Sequence, residues 1–206
     1  MASLLATHAI LEVVETKQNT TEMTDAPQEK AAQTFFMGTP VQLNAGFVQA
    51  WDGVTIVKGI VGVALENAHN LATNGAGAPT AFGIVGFPGT GTTFGSVPFQ
   101  PSAVNIPEGA PASLGYIDVA EANLDTIFSG QTDNSTGAAV TPTQANVGTQ
   151  YGMSLDANGY WYVDFAKTTP GTNTVLLMIG LHPIDGSIAN ARILFQFLQA
   201  ASQLIP

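Results

Sequence analysis

The sequence predicts a mainly β protein, a compact β-barrel or sandwich body with an extended N-terminal arm and a loop-rich middle. Two observations carry the β prediction. From Phe35 onward, short apolar runs alternate with clusters of Gly, Pro, Asn and Asp, which is the texture of strands joined by turns. Within the best runs the apolar residues fall at every second position, the period of a pleated strand with one buried face. A third observation sets the arm apart. After Ile10-Leu-Glu-Val-Val14 comes a polar tract, 15–30, with almost nothing to bury. Such a tract stays ordered only when packed against something else.

Two regions follow, an N-terminal arm over 1–34 and a β-rich body over 35–206. Strands are expected over 39–43, 46–51, 56–63, 82–87, 151–155, 160–165, 174–181 and 191–198. The clearest hairpin joins Tyr151–Leu155 to Tyr160–Phe165 through Asp156-Ala-Asn-Gly159. Asp156 and Asn158 favour turns, and Gly159 takes positive φ without steric cost. Beyond the turn, alternation sends Trp161, Val163 and Phe165 to one face, expected to be core, and Tyr160, Tyr162 and Asp164 to the other. Ile193, Phe195 and Phe197 alternate in the same way with Arg192, Leu194 and Gln196. The run 174–181 is apolar on both faces, which places it in the middle of a sheet or in an interface. The middle of the chain has loop composition at 75–79, 89–93 and 132–137, and only 118–128 has a spacing compatible with a short helix. No internal repeat is apparent.

Charge bounds the function. The chain has 206 residues, of which 15 are acidic and 5 basic, for a net charge of -10, a pI near 4.3 and a mean hydropathy of +0.22. An ordinary soluble domain has about a quarter of its residues charged, so this surface is expected to lie largely against other subunits of an assembly. Lys17, Lys30, Lys58, Lys167 and Arg192 are scattered, which argues against nucleic acid, where several phosphates must be neutralised together. The same sign argues against an anionic membrane. The strongest apolar run, Val175–Leu181, is far shorter than a membrane helix needs. The start of the chain lacks the basic residues of a secretory signal, so a protein made and used without export is expected.

Chemistry finds little to build on. With no cysteine, disulfides, thiolate catalysis and thiolate metal sites are excluded. His8, His69 and His182 show no metal spacing. Gly89-Thr-Gly-Thr-Thr-Phe-Gly95 misplaces the last glycine of a dinucleotide loop, and no Gly-x-Ser-x-Gly elbow is present. Asp133-Asn-Ser-Thr136 and Asp156-Ala-Asn-Gly159 begin like calcium loops without the closing glutamate. Asp156 and Asp164, in one hairpin, are the nearest approach to an acid–base pair. The sequence therefore predicts no catalytic residue, no cofactor, no metal site and no enzyme.

The motifs Gly38-Thr-Pro-Val-Gln-Leu43, Gly46-Phe-Val-Gln-Ala-Trp-Asp-Gly53, Ile60-Val-Gly-Val-Ala64, Gln150-Tyr-Gly-Met-Ser-Leu-Asp-Ala-Asn-Gly-Tyr-Trp-Tyr-Val-Asp164, Gly180-Leu-His-Pro-Ile-Asp185 and Asn190-Ala-Arg-Ile-Leu-Phe195 cover about half of the chain. In them it resembles the capsid decoration, or cement, proteins of tailed bacteriophages. The resemblance implies a β-rich body, commonly a homotrimer, bound to the major capsid protein on the outer surface of the head. The apolar residues of the arm, Leu4, Leu5, Ile10, Leu11, Val13 and Val14, are the expected contacts, with packing of a first strand on the chain's own body as the alternative role. A different class of function is a head-fibre or carbohydrate-recognition module, with Trp51, Tyr160 and Tyr162 as an exposed aromatic platform. Burial of Trp51 and Trp161 would remove that platform.

Overall fold

The computed structural model describes residues 11–16, 24–25, 27, 29–30, 33–68, 117–136 and 138–203. Leu4, Leu5, Ile10, His8, His69 and the strand expected over 82–87 lie outside the described residues. Eleven strands are found among those described: β1 (Glu12–Thr16), β2 (Thr24–Asp25), β3 (Pro40–Asn44), β4 (Phe47–Ala50), β5 (Gly62–Ala64), β6 (Val119–Glu121), β7 (Thr126–Asp133), β8 (Gln150–Leu155), β9 (Trp161–Asp164), β10 (Leu176–Leu181) and β11 (Arg192–Phe197). No helix among the described residues is long and apolar enough to cross a membrane.

Five of these strands close on themselves in the order β7-β11-β10-β8-β9, with β9 returning to β7. Neighbours are antiparallel at every joint but the last. An odd number of strands cannot alternate in direction all the way round a ring, so one joint must be parallel. Here it is β7–β9, where Thr132 pairs with Val163 and Asp133 with Asp164. Strand β7 is long enough to serve two neighbours along one edge, because β1 pairs with Thr126–Ser129 on the half that β9 leaves open.

A barrel this narrow is filled by its own side chains. Phe128, Phe195 and Phe197 meet at ring separations of 5.1–5.8 Å, two of the three contacts edge-on. Met153, Val163, Leu176, Met178 and Ile193 complete the filling. Gly130 shows how full it is: a Cβ there would come within 2.7 Å of Leu11 Cδ2, 3.0 Å of Phe195 Cε1 and 3.3 Å of Val163 Cγ2.

The second sheet has the order β2-β6-β5-β3-β4, antiparallel throughout. Alternation splits its residues between two clusters. Val63 and Ala120 join the barrel's core, while Val41, Val48, Ala64 and Val119 pack with Phe35 and Ile117 on the other face. The chain end ties the layers together. Ser202 forms a parallel bridge with Ile60, and Gln203 both accepts from Leu43 N–H at 2.7 Å and donates to its carbonyl at 3.0 Å.

All the expected strands that fall on described residues are present, although 56–63 pairs as a strand only from Gly62, with one bridge at Ile60. The helix expected over 118–128 is instead β6, a turn and the start of β7. Asn123 is the cause: its Oδ1 accepts from the N–H groups of Asp125 and Thr126 and from the Thr126 hydroxyl, all within 2.9 Å. A side chain that captures the backbone in this way competes with helix hydrogen bonds. Strand β9 also differs from expectation, since Trp161, Tyr162, Val163 and Asp164 are all buried and Phe165 is only half-buried, stacked on Tyr151 at 4.0 Å. Its second face is covered because it lies in a closed seam rather than on an open sheet. Between β11 and β8, β10 is central to its sheet.

Phe128→Ala is expected to destabilise the fold by about 3–5 kcal/mol, read as a lower urea midpoint. Gly130→Val should also destabilise, by about 1–3 kcal/mol through overpacking.

Candidate functional site

The arm residues that the structure describes lie on the chain's own barrel. Leu11 is buried in the core, and Val13, paired with Phe128, packs against it. Val14 is 42% exposed. The register jumps from Val13↔Phe128 to Glu15↔Ile127, so Val14 is the extra residue of a bulge and has no partner on β7. Of the six expected contact residues, Val14 is therefore the described one that faces solvent most.

The most exposed aliphatic side chains lie elsewhere. Val54 and Val57 are 77% and 61% exposed, and Ile184 and Ile188 are 85% and 60% exposed. The first pair belongs to the connection between β4 and β5, the second to the connection between β10 and β11. Lys58 and Gly59 donate to the carbonyls of Ala200 and Ala201, just beyond the end of β11, whereas the loop 182–191 leads into its start. A six-residue strand spans roughly 20 Å, so the two apolar tips project from opposite ends of the barrel.

Both loops are held by ordered polar groups. Asp52 Oδ1 accepts from the N–H of Val54 at 2.9 Å and of Thr55 at 2.7 Å, and Oδ2 accepts from the Thr55 hydroxyl at 2.5 Å. Burial pulls the Asp52 carboxyl upward, but the Thr55 hydroxyl and these backbone N–H groups outweigh it and leave the group below its ordinary value. The Trp51 indole donates to the Thr55 carbonyl at 2.9 Å, closing the loop on its own root.

At the other end Arg192 grips Asp185 through Nε at 2.8 Å, Nη2 at 3.2 Å and its backbone N–H at 3.1 Å. The Arg192 side chain holds the Asp185 carboxyl down at about 2, against a smaller upward pull from burial. Glu12 on β1 lies 3.5 Å from Arg192 Nη1, linking the first strand to this loop. His182 is buried with no partner at Nδ1, 3.7 Å from Asp185 Oδ1.

The aromatic residues do not form the expected platform. Trp51, Trp161 and Tyr162 are buried; the two indoles contact each other at 5.0 Å, and Tyr160 stacks on Phe36 at 5.4 Å. A cleft of about 280 Å³ opens beside them at the junction of the sheets, with Thr34, Phe36, Thr39, Trp51, Leu155 and Trp161 among its walls.

The carboxylates considered from sequence have structural partners. Asp156 accepts from the N–H of Asn158 and Tyr160 within its turn. Asp164 Oδ1 accepts from Ser135 N–H at 3.2 Å and Ala166 N–H at 2.9 Å, and Oδ2 from the Ser154 hydroxyl at 2.7 Å. Asn134 accepts from both the N–H and the hydroxyl of Thr136, so the 133–136 segment is an Asx turn. Among the described residues, no three His, Cys, Asp or Glu side chains converge where they could hold a metal.

The loop tips were not singled out in the sequence because no periodicity marks them. Their signal is an aliphatic residue among turn formers, Gly53-Val54 and Pro183-Ile184-Asp185-Gly186, where no strand face exists to bury it.

The Asp185–Arg192 pair generates a pH dependence. The folded-state pKa of Asp185 lies below the ordinary carboxylate value near 3.9, so its contribution is complete above about pH 4 and is lost as the pH falls through about 2. The pair is partly solvated, which holds that contribution to about 0.5–1 kcal/mol. Arg192→Met is expected to lower stability by this amount at pH 6 and to flatten the loss between pH 4 and 2, as measured by urea midpoints across that range.

The chain was also compared with known proteins: no protein-family model, no curated protein and no solved structure matches it.

Proposed function

We propose that this chain is a non-enzymatic structural protein of a virus particle that binds the outside of a tailed-phage head and reinforces contacts between its shell subunits. The observation that carries this reading is the pair of apolar tips, Val54 with Val57 and Ile184 with Ile188, held out from opposite ends of one rigid barrel. Aliphatic side chains held out on ordered loops offer apolar surface that a partner can bury. A bridge between two neighbours requires two such ends, and pre-ordered loops reduce the entropy lost on docking.

Electrostatics supports the outer face. Packaged DNA repels a chain of net charge -10, so the interior of a filled head is unfavourable. The partner of the tips is then the major capsid protein. Copies join in a symmetric homo-oligomer, with a trimer favoured, after synthesis in the host cytoplasm. Each bridge of standard size buries on the order of 800 Å² per partner, and many copies acting together raise resistance to internal pressure far beyond the strength of one contact.

The test is co-sedimentation of the purified protein with empty phage shells. Wild type should saturate the shells. The pairs Ile184→Asp with Ile188→Asp and Val54→Asp with Val57→Asp should each reduce occupancy at least ten-fold, since burying one such side chain contributes roughly 1.5–3 kcal/mol, while circular dichroism and melting stay unchanged. Removal of residues 1–10, which carry Leu4, Leu5 and Ile10 but leave Leu11 in place, should also weaken attachment. A stable monomer without affinity for shells overturns the reading.

A further inference from the structure

We propose that the cleft between the two sheets is a binding site for a single neutral sugar ring, a role independent of the virion reading. The cleft lies where the β8–β9 turn meets the segment before β3, and no charged side chain among the described residues lines it. Phe35, Trp51 and Trp161, each buried but for an edge, form its inner walls, and Phe36 is the one exposed aromatic residue among the described residues of the lining. Phe36 sits at the mouth with one side stacked on Tyr160 at an interplanar angle of 16°, yet the residue remains 41% exposed. Gly159 makes this arrangement possible. Its φ is +90°, and a Cβ there would come within 3.1 Å of Phe36 Cε2, so a larger residue would both strain the turn and push the ring away.

The polar groups in the lining point to the ligand's chemistry. The indole N–H of Trp51 is spent on Thr55. The hydroxyls of Thr34 and Thr39 and the indole N–H of Trp161 have no protein hydrogen-bond partner among the described residues. Three neutral hydrogen-bonding groups beside aromatic rings match a ring that carries hydroxyls on its rim and C–H groups on one face, the latter attracted to the electron-rich face of an aromatic ring. An ionic ligand would find no counter-charge among the described residues. The volume of about 280 Å³ is at the lower edge of the roughly 300–1,000 Å³ typical of small-molecule sites, which suits one ring and not a chain of them.

The chain has two tryptophans, and both line this cleft, so entry of a ligand must register in tryptophan emission. The full chain is titrated in turn with glucose, galactose, mannose and N-acetylglucosamine. At least one should produce a saturable change, weakened at least five-fold in Phe36→Ala and in Thr34→Val, with circular dichroism unchanged. Thr34 is exposed, so its variant keeps the test valid should the loss of Phe36 disturb the fold. The proposal is overturned if none of the four sugars gives a saturable change, or if both variants bind as wild type does. An emission change caused by phage shells but by no sugar would assign the cleft to a protein loop and overturn it equally.

Discussion

The parallel joint between β7 and β9 is the constraint on which the rest of the molecule depends. A five-stranded ring must contain such a joint, and parallel pairing is slightly weaker per residue than antiparallel pairing. Here it spans only two residue pairs, Thr132↔Val163 and Asp133↔Asp164. Side chains reinforce it. The Thr132 hydroxyl donates to the Ala191 carbonyl at 2.8 Å, tying β7 to the segment that enters β11. Asp164, fully buried, gathers Ser154 from β8, Ser135 from the turn after β7 and Ala166 from beyond β9. One carboxylate thus connects three consecutive pieces of the ring. Burial and the nearby charge of Asp164 push the neighbouring Tyr162 phenol upward, with Asp133 and Asp156 adding to it and a hydrogen bond with Ser154 opposing.

How much of this was legible in the sequence depended on where each strand buries its side chains. Strands β3, β8, β10 and β11 announce themselves by alternating or continuous apolar residues. Strand β7 does not. Thr126-Ile-Phe-Ser-Gly-Gln-Thr-Asp133 has the polarity of a loop, and its apparent fit to a helix came from Ile127 and Phe128 falling near Val119 and Ala122. Yet every residue of β7 except Gln131 is buried, because three strands surround it. Thr126 finds a hydrogen-bond partner in Asn123 and Thr132 in the Ala191 carbonyl, while the Ser129 hydroxyl is buried without one, and glycine is required at 130 where Leu11, Phe195 and Val163 converge. A strand chosen for fit and polar satisfaction carries little hydrophobic signal. The aromatic hairpin misled in the opposite sense: alternation placed Tyr162 and Asp164 on an outer face, which exists on an open sheet but not at a closed seam.

The small supply of charge is spent on structure. Lys167 Nζ donates to the Met153 carbonyl at 2.6 Å, Lys30 Nζ to the Gln49 side chain at 2.6 Å, and Arg192 to Asp185. Most of the basic side chains thereby help to pin loops or strand edges in place. Sequence composition exposed the shortage of charge, but not this use of it, since which cation meets which acceptor depends on contacts between residues distant along the chain.

Among the described residues the four most exposed aliphatic side chains, Val54, Val57, Ile184 and Ile188, lie on loops, while Val14 on β1 and Leu155 on β8 are less exposed. A hydrophobic strand left open at a sheet edge would invite pairing with other chains along its whole length. A loop tip offers only one or two side chains, in an orientation determined by its root. Asp52 and Arg192 each stand at such a root, one holding the turn that carries Val54 and Val57, the other closing the turn that carries Ile184 and Ile188. Apolar surface presented this way favours docking into a complementary hollow over indiscriminate association.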